Sequence, residues 1–316
     1  MAGIPDVRVA AVYGRKRSHA EAVAAQAQAT PAAAVDDLDR FFELGPLDMV
    51  VVGTPSGLHG AHAAAAAVRG MHVLVEKPLE VTTARVDRLI DDARRAGVTV
   101  GVIFQDRLKP DVRRLKTLVD GGALGPVLFA RAEVPWWRPP EYYRDSTWRG
   151  TWALDGGGAL MNQGIHTVDL LQWLCGPATR VYGRTATRVH AIEVEDTAAG
   201  LIEFRSGALA TIEASTCVNP GRPRRIEITG TTGTAVLEGD RLLSGESRGG
   251  GPAPENAASP VVADASAHRA VFVDFIEAVR GRRSPCCDGL EGRRSVALVE
   301  AIYESSRQGR AVDVSR

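Results

Sequence analysis

The 316-residue sequence has only four cysteines: Cys286 and Cys287 are adjacent, Cys175 and Cys217 are isolated, and there is no C-x-x-C pair. This excludes a disulfide framework and the usual zinc spacings, and it suits a reducing compartment. Neither sign of charge dominates, since 38 Lys plus Arg balance 38 Asp plus Glu. A nucleic-acid or membrane-surface partner is therefore not expected. The most apolar run, "AHAAAAAV", is too short to cross a bilayer. The opening "MAGIPDVRVAAVYGRKRS" lacks the charged-then-apolar plan of a secretory signal, so a cytoplasmic protein is expected.

What is present is an ordinary globular composition, 45% hydrophobic and 24% charged, in a length that suits roughly two domains. Over the first 120 residues strand and helix patterns alternate. "VRVAAVY", "LDMVVVG", "HVLVEK" and "VTVGVIF" read as short buried strands. "AEAVAAQAQA", "GAHAAAAAVRG", "TTARVDRLIDDARRAG" and "PDVRRLKTLVDGG" read as the helices between them. The third of these is opened by a Thr cap and closed by Gly97. This is the doubly wound α/β pattern, a parallel sheet covered on both faces. After "GGALGP" the rhythm changes. "VLFARAEV" is a strand, "PWWRPPEYYRDSTW" an aromatic loop, and "TAAGLIEF-RSG-ALATIEAS" and "RRIEITG-TTG-TAVLEG" are hairpins. "SGESRGGGPAPENAASP" reads as a surface loop, and helices at about 268–281 and 290–308 close the chain. The expected division is an α/β domain over 1–121 and an α+β domain with a large open, mainly antiparallel sheet over 122–316.

Chemistry concentrates in "DGGGALMNQGIHTVDLLQWLCG". Asn162, His166 and Asp169 stand at i, i+4 and i+7, one polar line along a helix, beside an apolar face of Ile165, Val168, Leu171 and Leu174. One His and one carboxylate without further clustered ligands make a poor zinc site, so no metal is expected. Glu76 and Lys77 end the strand "HVLVEKP", and Gly53, Thr54 and Pro55 end "LDMVVVG". Ligands of open α/β sheets bind at these carboxyl ends; a solvated ion pair and a plain tight turn are the alternative readings.

The two motifs "TPSGLHGAHAAAAAVRGMHVLVEKP" and "GGGALMNQGIHTVDLLQWLCG", in this order, resemble the glucose–fructose oxidoreductase/inositol dehydrogenase (Gfo/Idh/MocA) family. The likeness runs from about Val7 to the end of the chain. It implies a Rossmann-type nicotinamide-binding domain joined to a domain with an open sheet, hydride transfer at a secondary alcohol carbon of a sugar or polyol, and a homodimer or homotetramer formed through that sheet. The loop from Glu141 to His166 is most similar to members acting on nucleotide-linked sugars, such as UDP-N-acetylglucosaminuronate 3-dehydrogenases. Carried over by position, Lys77 and His166 are the catalytic pair, with Asn162, Tyr143 and Arg107 as substrate contacts. The cofactor contacts are Gly14, Arg15, Gly53, Thr54, Pro55, His59, Glu76, Gln105 and Arg149.

The acid–base logic is independent of the resemblance. An alcohol proton must leave as hydride departs, and a neutral imidazole with an ordinary pKa of about 6.5 suits that task. A neighbouring ammonium disfavours imidazolium and stabilises alkoxide charge. Many family members carry Asp where this chain has Asn162, which cannot relay a proton, so Asn162 is expected to position substrate or His166. Asp169 either orients the imidazole or satisfies a buried polar contact. His59, His62 and His72 border the strands and read as structural, although His59 also stands at a cofactor position. Arg15, Lys16 and Arg17 follow Gly14, where the family often has Asp, which favours NADP over NAD.

No G-x-G-x-x-G occurs. The family's first strand, Gly-rich turn and first helix, about 25 residues in all, would precede Met1. In the 3-2-1-4-5-6 order that strand is central. Without it, the flanking strands must either leave free edges or pair directly, and dinucleotide affinity should fall. The expectation is a start upstream of Met1. The competing one is a non-catalytic binding or assembly protein that has lost its cofactor.

Overall fold

In the computed structural model, which describes residues 4–27, 32–243 and 265–315, the Val-rich runs form strands of only three or four residues. The first part comprises β1 (Ala11–Tyr13), α1 (Arg17–Ala24), β2 (Ala33–Val35), α2 (Leu38–Glu43), β3 (Met49–Val52), α3 (His59–Ala67), β4 (His72–Val75), α4 (Thr83–Ala96), β5 (Val100–Val102) and α5 (Pro110–Asp120). The caps of α4 are those its sequence requires: the Thr82 side chain accepts from the Arg85 N–H, and Gly97 closes the helix at φ +68°. The elements β2 and α2 have no counterpart in the sequence reading, because a three-residue strand carries too little alternation to be seen.

The parallel strands form two separate sheets, β1-β2 and β3-β4-β5. The strands β1 and β3 do not pair. Between them lies a cavity of about 1020 Å³ lined by Val9, Ala11, Tyr13, Val50, Val52 and Ile276. Among the described residues the facing edges of β1 and β3 flank this cavity unpaired.

The second part comprises β6 (Val127–Pro135), α6 (Pro140–Arg144), a π-helical turn (Ala159–Gly164), α7 (Ile165–Cys175), β7 (Ala178–Ala186), β8 (Thr197–Phe204), β9 (Leu209–Ser215), β10 (Arg225–Gly230), β11 (Thr234–Glu238), β12 (Arg241–Leu243), α8 (Ser266–Gly281), α9 (Gly289–Gln308) and β13 (Val312–Asp313). Its eight strands run in the order β12-β11-β10-β6-β9-β8-β7-β13, antiparallel except for β6 beside β9. Both expected hairpins are there, β8–β9 and β10–β11. The Gly/Pro/Ser-rich stretch from Ser244 lies outside the described residues.

Strand alternation gives this sheet one apolar face, and α7 and α9 pack on it. Ile165, Val168, Leu171 and Leu174, the apolar stripe read from the sequence, are all buried there. On the open face Tyr182 pairs with Leu201 and Phe129 with Leu209, and Tyr182, Leu201 and Leu209 are exposed. Helix α8 returns to the first sheet, where Val271 and Phe275 pack on Leu74 and Ile103. Burying Phe275 alone contributes about 1.5–3 kcal/mol.

Candidate active site

The cleft begins where β3 and β4 end. The imidazole of His59, at the start of α3, lies 2.7 Å from the Thr54 carbonyl and 2.7 Å from the Pro78 carbonyl, tying the two strand ends together. Burial keeps this ring neutral, so its single N–H donates to one of the two carbonyls at a time; the side chain is enclosed between them, so His59 is not a direct cofactor contact: a correction to the sequence expectation. Gly57 lets this turn reach the loop ahead of the π-turn. Its N–H donates to the Leu154 carbonyl over 2.8 Å, and a Cβ there would lie 2.1 Å from the Ala153 carbonyl oxygen.

A buried carboxylate shapes the π-turn. Glu195, just before β8, accepts from the N–H groups of Gly158 and Leu160 (2.9 and 2.8 Å) and from the Tyr303 hydroxyl (2.9 Å). The Gln163 N–H reaches back five residues to the Gly158 carbonyl, the wider winding of a π-turn, a feature frequent at functional sites. Asn162 therefore leaves the α-helical register expected for it, and the polar line divides into three separate partnerships.

In the first, Asn162 Nδ2 donates to Asp155 Oδ1, and the Gly150 N–H donates to Asp155 Oδ2 over 2.8 Å. Burial pushes the Asp155 carboxyl up to about 6. The Asn162 carbonyl accepts from Lys77 Nζ at 2.9 Å. Burial lowers the Lys77 pKa against the pull of Glu76 and Asp155. In the second, His166 Nε2 lies 3.4 Å from Gln105 Nε2, and Nδ1 is buried without a partner. Phe104 meets the ring edge-on at 5.7 Å. Burial, opposed by Asp106 and reinforced by the Lys77 charge, brings the imidazole down to about 3. It is neutral at physiological pH, as a proton acceptor must be.

The third partnership points away from the cleft. Asp169 accepts from Arg107 Nε at 2.8 Å and from Ser295 Oγ at 3.3 Å. Arg107 also donates to Glu291 at 2.7 Å. Burial lowers the guanidinium pKa, but Asp169 and, more weakly, Glu291 raise it further, so Arg107 is charged. Arg107 is thus not available to substrate, a second correction, and Asp169 satisfies a buried cation instead of orienting His166. Tyr143 is a third: it is buried, donates to Thr216 Oγ1 at 3.1 Å and packs on His190. Its neighbour Tyr142 sits beside the π-turn and accepts from Gln163 Nε2 at 2.8 Å. Sequence reasoning missed Asp155, Gln163 and Arg138 as site residues. The signal for Asp155 was its place seven residues before Asn162, ahead of three glycines.

The residues at the strand ends fit a dinucleotide in part. Gln105 Oε1, Arg149 Nε and His166 Nδ1 are buried and unpartnered, polar atoms of the kind a polar ligand satisfies. A Cβ on Gly53 would meet only Glu76 Cγ, at 3.9 Å, so backbone there is open to close approach. Gly14 and Arg15 follow β1. The Gly-rich turn that cradles a pyrophosphate is not among the described residues. Nor do three or more His, Cys, Asp or Glu converge as for a metal ion among them.

A Rossmann sheet with polar groups gathered at its strand ends, joined to an open-sheet domain, defines an NAD(P)-dependent oxidoreductase acting on CH–OH groups of sugars. The family pattern described as "Oxidoreductase family, NAD-binding Rossmann fold" matches residues 1–104, and "GFO/IDH/MocA C-terminal domain" matches 112–236. The chain belongs to the Gfo/Idh/MocA family. It is similar to the WlbA dehydrogenase from Bordetella pertussis, whose structure holds NADH and UDP-GlcNAcA. Identity is 32%, with a TM-score of 0.85 over 96% of this chain and 89% of that one. D-xylose 1-dehydrogenase (NADP(+)) 2 of Haloferax volcanii is 27% identical over 99% of this chain and 97% of its own length. Myo-inositol 2-dehydrogenase of Thermotoga maritima is 26% identical over 84% and 79%. No helix among the described residues is long and apolar enough to cross a membrane.

Proposed function

We propose that this dehydrogenase acts on a nucleotide-linked sugar, with Lys77 and His166 as its catalytic pair and Asn162 positioning the substrate. The observation that carries the reading is the neutral His166, its buried Nδ1 without a partner, near an ammonium tied to the π-turn. A nicotinamide held at these strand ends would supply the hydride chemistry. His166 accepts the hydroxyl proton, and Lys77 stabilises the oxygen as charge develops on it. Gln105 would meet the cofactor through its unpartnered oxygen, alongside Gly53, Thr54, Pro55 and Glu76, while the buried Arg149 Nε is left for the substrate. The similarity to WlbA supports the nucleotide-sugar class.

NADP is the preferred cofactor in this reading, because Arg15 follows β1 without an ion-pair partner among the described residues. The exposed apolar row on the open sheet supports a homodimer or homotetramer, the chain divides at 121/122, and the protein works in the cytoplasm. The test is spectrophotometric: purified protein with NADP or NAD and a panel of UDP-sugars, free aldoses and inositols. Reduction of NADP with a UDP-sugar supports the proposal. Turnover of free aldoses or inositols alone overturns it.

A further inference from the structure

Two arginines beside the π-turn have no ion-pair partner among the described residues. Arg138, on the loop after β6, donates from Nε to Gln163 Oε1 over 2.9 Å, and its second terminal nitrogen uses the same oxygen. Its guanidinium lies over the rings of Trp136 and Tyr142, at 5.4 and 5.1 Å. Arg149 lies over the same Tyr142 ring at 4.3 Å and over Trp148 at 5.3 Å, and its Nε is buried without a partner. Neither arginine forms an ion pair among the described residues, whereas Arg85, Arg107, Arg224 and Arg293 all do.

Two like charges gathered on one ring repel each other, and aromatic stacking offsets only part of that. The Lys77 ammonium adds a third positive charge close by. Glu76 and Asp155 offset the Lys77 charge; of the two, Asp155 also acts on Arg149, and it is already committed to Asn162 and Gly150. The donors are also held rigid, Arg138 by Gln163 and by the two rings. Arg138 also donates to the Trp137 carbonyl at 3.4 Å, and a guanidinium fixed in this way loses little entropy when a remaining N–H binds a carboxylate or phosphate oxygen.

We infer that Arg138 and Arg149, stacked on Tyr142 without a carboxylate partner, form an anion clamp that selects acidic sugar substrates over neutral ones. The acidic group is a ring carboxylate or the diphosphate of a nucleotide sugar; both present the same charged oxygens to the clamp. The inference rests on the nucleotide-sugar reading for its choice of ligands, and not on the chemistry of hydride transfer.

The experiment is isothermal titration of the protein, and of Arg138→Gln, Arg149→Gln and Arg138→Lys, with four ligands: UDP-N-acetylglucosaminuronate, UDP-N-acetylglucosamine, free glucuronate and free glucose. The glutamine variants should weaken the uronate nucleotide by about tenfold or more, the worth of a charge-assisted hydrogen bond, and reduce the dependence of binding on salt. The lysine variant should recover part of the loss. A loss retained with UDP-N-acetylglucosamine assigns the clamp to the diphosphate; a loss seen only with the uronates assigns it to the carboxylate. Affinity for the uronate nucleotide within about twofold of wild type in both glutamine variants, with unchanged thermal unfolding, overturns the clamp. If acidic ligands bind as described but no sugar is oxidised, the proposed chemistry fails and the clamp stands.

Discussion

Lys77 and Asn162 meet across the two halves of the chain: the Lys77 ammonium donates to the Asn162 main-chain carbonyl over 2.9 Å, at a sequence separation of 85. The bond joins the end of β4 to the π-turn. The ammonium is therefore placed by the Rossmann sheet and aimed by the second domain. Helix α7 starts directly after that turn, so the same connection sets the position of His166. The geometry of the proposed catalytic pair is a property of the joint, not of either domain.

Replacing the groups at this joint tests their roles. His166→Asn removes the proton acceptor and should lower kcat by about 10²–10⁴-fold, with a smaller change in KM. Lys77→Met removes the charge that stabilises alkoxide and should cost about 10²–10³-fold in kcat. The double variant should be little worse than the poorer single one, because groups acting as a unit are not additive. Steady-state rates of NADPH formation decide the point; a His166→Asn enzyme within about threefold of wild type denies the imidazole its role.

The Arg107–Asp169 pair is predicted to matter for stability and not for chemistry. Asp169→Asn leaves the buried guanidinium with Glu291 as its remaining carboxylate. Breaking one partner of such a buried pair costs about 3–5 kcal/mol. The loss should appear as a lower urea midpoint with an unchanged m value. The kcat/KM of the folded variant should stay close to wild type, which would not be so if Arg107 held substrate.

These residues also mark where sequence reading stops. The strand–helix alternation, the Thr82 and Gly97 caps and both hairpins are local, and a few adjacent residues dictate each of them. Lys77 and His166 could be singled out because each sits in its own dense motif. The π-turn was not, because Glu195, about 35 residues downstream, imposes it through two backbone N–H groups. Arg107 was misread because its partners lie on α7 and α9, far along the chain. Tyr142 and Tyr143 are neighbours on a five-residue helix. Which of them faces the cleft is decided by Thr216 and His190, which hold Tyr143 inside.

Asp155 should shape the pH profile. As a carboxylate it accepts from Asn162 and Gly150, and protonation removes acceptor capacity from both. With its carboxyl pushed up to about 6 by burial, the acidic limb of kcat/KM should fall near pH 6. His166, at about 3, is still neutral there and does not set that limb. The Asp155→Asn enzyme, whose amide does not titrate, should show a flat profile between pH 5 and 7 at a reduced plateau. A limb that persists near 6 in the variant would assign it to another group.

His166 also makes a prediction about acid stability, with a definite sign. Its pKa is about 3 in the folded protein and about 6.5 in the unfolded chain. Between these values the unfolded chain binds the proton and the folded protein does not. The stability of the neutral imidazole is thus fully present above about pH 6.5 and is lost as pH falls toward 3, by up to about 1.4 kcal/mol per pH unit. Asp155 acts in the opposite sense between about 4 and 6, because its raised pKa favours the folded form as pH falls. The His166 contribution is therefore read as a difference between proteins. His166→Asn should gain stability relative to wild type as pH is lowered from 7.5 to 5, as seen in paired urea titrations. A constant gap between the two across that range would mean that His166 takes up its proton in the folded state as readily as in the unfolded one.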